Sequence, residues 1–206
     1  MRLGVLVSGR GSNLEAVLQA VDAGRLPSIQ PVVVISNRSG IAALEVASRF
    51  GVASQVLEAR DFGDQASRDR GIGQALTDAG VELALLAGYD QWLRSSYFAA
   101  FEGRTINIHP SLLPRHGGAG MVGEAVHAAV LRAGDSETGV TIHDVTGDLD
   151  AGPILLQRRV AVEAGDSSAT LAGRVLEVEH QCLVEVLSHL SASMTAAPRA
   201  RIRVRR

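Results

Sequence analysis

Leu3-Gly4-Val5-Leu6-Val7 is a short apolar run that gives way at once to Ser8-Gly9-Arg10-Gly11-Ser12-Asn13. Leu14, Val17, Leu18 and Val21 then recur at helical spacing. Strand, glycine-rich turn and helix, in that order, form the first half of a βαβ unit. Glycines let the backbone come close to a ligand, and the N–H groups that open the next helix favour an anion. The spacing is neither the dinucleotide G-x-G-x-x-G nor a P-loop, which needs a Lys. A phosphate monoester therefore fits this turn better than NAD or ATP, although a glycine turn of this kind also serves tight packing alone.

The rest of the chain repeats the alternation. Pro31 to Ile35 reads as a buried parallel strand, and Ile41 to Phe50 as a helix closed by Gly51. Val52 to Leu57 is expected as a third strand, Asp61 to Asp78 as a largely exposed helix, and Val81 to Tyr89 as a fourth strand. Leu93 to Phe101 reads as a helix, followed by a strand through Thr105 to His109. Glu124 to Arg132 is a helix, Gly139 to Val145 and Ile154 to Val162 are strands, and Thr170 to Leu190 is one long amphipathic helix. Strands alternating with helices indicate an α/β fold with a doubly wound, mostly parallel sheet. The expected organisation is one domain over residues 1–190 and a disordered basic tail over 191–206, where Arg199, Arg201, Arg203, Arg205 and Arg206 crowd together.

Composition removes several classes of function. No window reaches the ~18 consecutive apolar residues of a membrane span. A net charge of −2 and an aromatic content of 3% argue against a nucleic-acid surface. Cys182 is the single cysteine, which excludes an intramolecular disulfide and a cysteine metal cluster and points to a cytoplasmic protein. No ligand set for a metal is visible.

In Thr105-Ile106-Asn107-Ile108-His109-Pro110, Ile106 and Ile108 alternate with Asn107 and His109. Pro110 cannot donate to a ladder, so the strand should end at His109, with an amide and an imidazole at its carboxyl end. In an open α/β sheet that edge is where ligands bind. Asn donates a neutral hydrogen bond, while His gives or takes a proton near pH 7, a pairing suited to charge developing on a carbonyl oxygen. Alone, the run reads more readily as a capping Asn and a surface His. Asp150, in the turn Thr146 to Pro153, is likewise ordinary turn chemistry by itself. Its functional reading is a carboxylate that orients His109 or raises its pKa, in the latter case keeping more of the ring protonated near neutral pH.

Together, Ser8-Gly9-x-Gly-Ser-Asn13, Asn107-x-His109-Pro-Ser-Leu-Leu-Pro114, and Thr141-x-His143 with Leu149-Asp150-x-Gly-Pro153 resemble the folate-dependent formyltransferases. The first motif and the chain length select the phosphoribosylglycinamide formyltransferase group. The resemblance runs to about Leu190 and implies a Rossmann-like formyltransferase fold. It implies transfer of a formyl group from the co-substrate 10-formyltetrahydrofolate to the amine of 5-phosphoribosylglycinamide, in de novo purine synthesis. By the same resemblance, Asn107, His109 and Asp150 are the catalytic residues. Gly11, Ser12 and Asn13 hold phosphate and ribose, and Glu179 contacts the glycinamide substrate. Leu86, Asp90, Gln91, Trp92, Leu93 and Asn107, with the turn Thr146, Gly147, Asp148, Leu149 and Asp150, bind the folate. A homodimer is left open.

Three stretches depart from the family pattern. Asp90-Gln91-Trp92 stands where Met-Arg-Ile or similar is expected, and Gln65 replaces a basic residue that contacts the folate tail. Gly117 to Gly123 replaces the commoner Pro-Gly-x-His-x-His loop and reads either as a mobile segment beside the site or as a solvated linker. The implied chemistry is direct amine attack on the formyl carbon, with Asn107 and a protonated His109 bonding the oxyanion. A 10-formyltetrahydrofolate hydrolase would share the catalytic residues, and a non-catalytic mononucleotide-binding module would need only the first motif.

Overall fold

The computed structural model describes residues 1–196, with side chains through Ser193. Leu3 to Val7 are buried on both faces, as a near-continuous apolar run requires, and they form the core of β1 (Arg2–Val7). Ser8 to Gly11 turn the chain into α1 (Ser12–Asp22), and β2 (Gln30–Ser36), α2 (Ala42–Arg49) and β3 (Ser54–Val56) follow. A 3₁₀ turn, Ala59–Asp61, leads to α3 (Gln65–Asp78), β4 (Leu83–Leu86), α4 (Ser95–Ala100) and β5 (Arg104–His109). The chain continues through α5 (Glu124–Ala133), β6 (Glu137–Asp144), β7 (Ile154–Ala161) and α6 (Ser168–Ala196).

The sheet has seven strands in the order β3-β2-β1-β4-β5-β6-β7. β1 to β5 pair in parallel, and β6 and β7 close the far side antiparallel. The chain winds outward from β1 to β3, then crosses back to β4 on the other side of β1. Loops leaving β1 and β4 therefore diverge, which opens a crevice at their carboxyl ends. Side chains of α1, α2, α5 and α6 fill one face, among them Leu14, Val46, Val130 and Leu183. Ile72, Leu76 and Tyr97 of α3 and α4 cover the other.

Several boundaries differ from the sequence expectation, α3 for instance starting at Gln65 and not Asp61, and three have a local cause. β3 is only three residues long and exposed throughout, because an edge strand beside β2 needs few ladder bonds. β4 stops at Leu86, before Gly88 turns with a positive φ. α6 runs to Ala196, past Leu190, so the expected disorder from Ser191 is corrected: Ser191 is buried and its hydroxyl bonds the Ser188 carbonyl at 3.0 Å. Residues 197–206, which hold the arginines of the expected tail, lie outside the described residues. No helix among the described residues is long and apolar enough to cross a membrane.

Candidate active site

A cleft of about 880 Å³ lies over the carboxyl ends of β1, β4 and β5. The loops Gly9–Asn13, Asn107–Pro110 and Thr146–Asp150 meet there, as the sheet order requires. Of the residues assigned a catalytic or binding role from the sequence, Gly147 is the exception: it does not line the cleft, and its carbonyl instead accepts the Trp92 indole N–H at 3.1 Å.

At one end, Gly11 adopts φ 82° and caps α1 without any side-chain bond to the helix. The leading N–H groups of α1 are thus available to an anion. A Cβ on Gly11 would lie 2.7 Å from the Ala43 Cα, so the turn also depends on α2 packed behind it. Asn13 and Glu179 are both buried beside this loop. Burial pushes the Glu179 carboxyl up to about 7, against the opposing influence of Asn13 and Arg10.

At the other end, β5 delivers Asn107 and His109. Asn107 pairs in register with His143 of β6, and its Nδ2 lies 3.2 Å from His143 Nε2. The β6–β7 register shifts between Ile142 and His143, an irregularity of the kind that re-aims a side chain next to a site. His143 Nδ1 faces the Asp144 carbonyl at 2.9 Å and so carries the ring hydrogen, which leaves Nε2 to accept from Asn107. Asp150 lies between two imidazoles: Oδ2 is 3.9 Å from His109 Nδ1, and Oδ1 is 3.7 Å from His143 Nε2. Its backbone is left-handed, φ 52°, and the Gly118 N–H donates to Oδ2 at 2.8 Å. A Cβ on Gly152 would meet the Asp144 carbonyl at 1.7 Å, so only glycine lets this turn close.

His109 is buried, and its Nε2 donates to the His116 carbonyl at 2.9 Å. Nδ1 therefore carries the lone pair and faces Asp150. Here the structure corrects the protonation expected from the sequence. Asp150 does raise the His109 pKa, as does the bond to His116, but loss of solvent outweighs both and holds the imidazole below its usual value. Near pH 7 the ring is neutral and is a base.

Leu86, Leu93 and Val145 provide an apolar wall, and Trp92 and Leu149 stay part-exposed at the mouth, a lining suited to a flat heterocycle. Arg94 stacks over Trp92 at 4.7 Å. Gln65 is outside the cleft and donates to the Trp92 carbonyl at 2.9 Å. Gly118 to Gly123 line the cleft and face α6 across it. His127, buried with Nδ1 unpartnered, also reaches the cleft; it and His143 were absent from the residues assigned roles in the sequence, although Thr141-x-His143 carried a signal for the latter. Among the described residues, no group of three or more His, Cys, Asp or Glu could hold a metal ion.

The exposed N-terminus of α1 at one end and an imidazole, an amide and a carboxylate at the other thus share one cleft. The chain belongs to the formyl transferase family, whose model matches residues 1–187. It is similar to the phosphoribosylglycinamide formyltransferase of Escherichia coli (strain K12), 35% identical over 91% of this chain and 86% of that one. It is also similar to the trifunctional purine biosynthetic protein adenosine-3 of Gallus gallus, 36% identical over 91% of this chain, which spans only 18% of that longer protein. Among solved structures, glycinamide ribonucleotide transformylase 1 from Symbiobacterium toebii superposes with a TM-score of 0.87 and 37% identity, covering 94% of this chain and 88% of that one.

Proposed function

We propose that this chain transfers the formyl group of 10-formyltetrahydrofolate to the amine of 5-phosphoribosylglycinamide, in the cytoplasm, as a step of purine synthesis. The observation that carries the reading is the span between the α1 N-terminus and the Asn107, His109, His143 and Asp150 cluster, joined by one cleft. The phosphate of the nucleotide sits on Gly11, Ser12 and Asn13, which leaves its amine at the cluster. The folate ring takes the apolar wall of Leu86 and Leu93, with Gln91, Trp92 and the Thr146–Asp150 turn at its edge. Holding both substrates in one cleft replaces a bimolecular encounter, an advantage of up to ~7–11 kcal/mol in favourable cases.

The amine nitrogen attacks the formyl carbon, and the C=O pair moves onto oxygen. Asn107, anchored by His143, bonds that oxyanion. His109 Nδ1 accepts the proton shed by the attacking nitrogen and becomes an imidazolium beside Asp150. The charge is then paired, which offsets the burial that disfavours it in the resting state. Collapse of the intermediate re-forms the carbonyl and breaks the bond to the folate nitrogen, and the proton passes from His109 to that nitrogen. Tetrahydrofolate and the formylated amide leave with atoms and charge balanced.

Assay with the nucleotide and 10-formyltetrahydrofolate tests the proposal. Formyl transfer strictly dependent on the nucleotide is expected. Formyl release as formate without it would identify a hydrolase instead.

A further inference from the structure

Among the described residues, two other than glycine adopt a left-handed backbone, His116 at φ 54° and Asp150 at φ 52°. Both are partners of the His109 ring: the His116 carbonyl takes the Nε2 hydrogen at 2.9 Å, and the Asp150 carboxylate faces Nδ1 at 3.9 Å. Such a conformation is disfavoured for a residue with a Cβ and lasts only where its surroundings hold it. At His116 the holding group is Asp135, whose Oδ2 accepts from the part-buried His116 Nε2–H at 2.6 Å. Asp135 is itself fixed in the turn between α5 and β6, where its N–H bonds the Val130 carbonyl at 3.4 Å. Beside it, Arg115 reaches Asp135 Oδ1 at 3.7 Å and Glu137 at 3.4 Å, while the Arg115 carbonyl accepts from Ser111 Oγ at 2.6 Å. The stretch from Arg115 to Gly118 is thus pinned to the α5–β6 turn. From there it presents two backbone groups to the site, the His116 carbonyl to His109 and the Gly118 N–H to Asp150.

We propose that His116 and Asp135 are positioning residues for the base: their side-chain pair holds the His116 carbonyl against His109 Nε2 and so keeps the free lone pair on Nδ1, toward Asp150. A neutral imidazole has two tautomers, and only the one with its hydrogen on Nε2 can take a proton at Nδ1. Asp150 alone would favour the opposite tautomer, because a carboxylate draws a hydrogen to the nitrogen it faces. A carbonyl fixed 2.9 Å from Nε2 outweighs a carboxylate 3.9 Å from Nδ1, a separation too long for a hydrogen bond. Without the Asp135 anchor, the His116 peptide is free to leave the left-handed region, and the tautomer is no longer set. The inference rests on the proposed role of His109 as the base.

The tautomer is read in ligand-free protein at about pH 8, where a histidine is neutral, from the imidazole nitrogen resonances of His109. The proteins compared are the wild type, Asp135→Ala, Asp135→Asn and His116→Gly. The wild type should carry the hydrogen on Nε2. Asp135→Ala and His116→Gly should show a mixture, whereas Asp135→Asn, whose side-chain oxygen still accepts from His116, should stay near the wild type. Glycine fits the left-handed turn without strain, so His116→Gly decides the case should Asp135→Ala fail to fold. In the transfer assay both disruptive variants should lower kcat by up to about 10²-fold, the scale for a misplaced catalytic group, with KM for both substrates within about twofold. The bond to the His116 carbonyl also raises the His109 pKa, so loosening it should move the acid limb of the pH–rate profile acidward. The other titratable groups around the ring, Asp150, His143 and His127, are the same in every variant. An unchanged tautomer in both disruptive variants overturns the proposal, as does an Asp135→Asn protein as impaired as Asp135→Ala. A rise in both KM values at constant kcat overturns it too, since the pair would then only shape the cleft. Protein that transfers no formyl group would defeat the proposed reaction, while the resonances would still decide whether the pair sets the tautomer.

Discussion

Asn107 and His143 face each other across the β5–β6 pair, with the amide nitrogen 3.2 Å from Nε2. Because the Asp144 carbonyl fixes the His143 tautomer, the imidazole can only accept from the amide. That contact sets which edge of the Asn107 amide looks into the cleft, so His143 acts on the reaction through Asn107.

His143→Ala should lower kcat by about 10²-fold, near the cost of removing an oxyanion donor, with little change in KM for the nucleotide. Asn107→Ala on top of it should add much less than it does alone, since the two act as a unit. Steady-state kinetics of the four proteins decide the matter; simply multiplicative losses would separate the residues.

Asp150→Asn removes the charge that raises the His109 pKa while burial remains, so the imidazole falls further below its usual value. The acid limb of the pH–rate profile, where protonation of His109 removes the base, should move acidward. Turnover should drop by about 10²–10⁴-fold, because the imidazolium formed in the reaction loses its partner. A limb that stays in place would mean that another group titrates there.

Much of this was legible in the residues. The apolar runs of β1, β2 and β4 and the Pro110 stop of β5 place the strands, because buried parallel strands leave a continuous signal. β3 left little, since its three exposed residues have no apolar face to show. Asn107, His109 and Asp150 were identified as a group through their motifs, and the structure gathers them. Protonation of His109 could not be read that way: it depends on the balance between burial and one carboxylate 3.9 Å away, which no spacing encodes. The surroundings of Asp90 were hidden for a similar reason, as they come from Ser8, Asn37 and Arg38, far off in sequence.

Trp92 is the single tryptophan, part-exposed at the cleft mouth and tied to the Gly147 carbonyl. Its fluorescence should respond when a folate analogue is titrated in and change far less with the nucleotide alone. Trp92→Phe should weaken folate several-fold, in line with about 1 kcal/mol for the lost hydrogen bond. A signal driven by the nucleotide would place the folate elsewhere.

Gly11→Ala combines two costs. Its φ of 82° penalises any Cβ, by roughly 1–2 kcal/mol, and that Cβ would sit 2.7 and 2.8 Å from backbone and side chain of Ala43. The phosphate loop must therefore shift away from α2. KM for the nucleotide should rise at least tenfold while KM for the folate stays within about twofold, the tenfold change corresponding to ~1.4 kcal/mol. Equal losses for both substrates would remove the phosphate from this turn.

Glu179 makes stability itself depend on pH. Its ordinary pKa of 4.5 applies to the unfolded chain, and burial raises it to about 7 in the folded one. Between those values the folded protein binds the proton more tightly, so stability is fully present below pH 4.5 and is lost as pH rises to about 7. The shift corresponds to something on the order of 3 kcal/mol, at 1.36 kcal/mol per pH unit. Glu179→Gln keeps the shape and stays neutral at every pH. The difference in unfolding free energy between variant and wild type, from urea titrations at pH steps from 4 to 8, should therefore grow in favour of the variant as pH rises, then level off above 7. Bound nucleotide phosphate would bring a further charge to the loop, so the titrations are made without ligand. A difference that stays constant across the whole range would show that Glu179 is ionised in the folded protein at pH 5, with Arg10 or Asn13 compensating its charge far better than the geometry indicates.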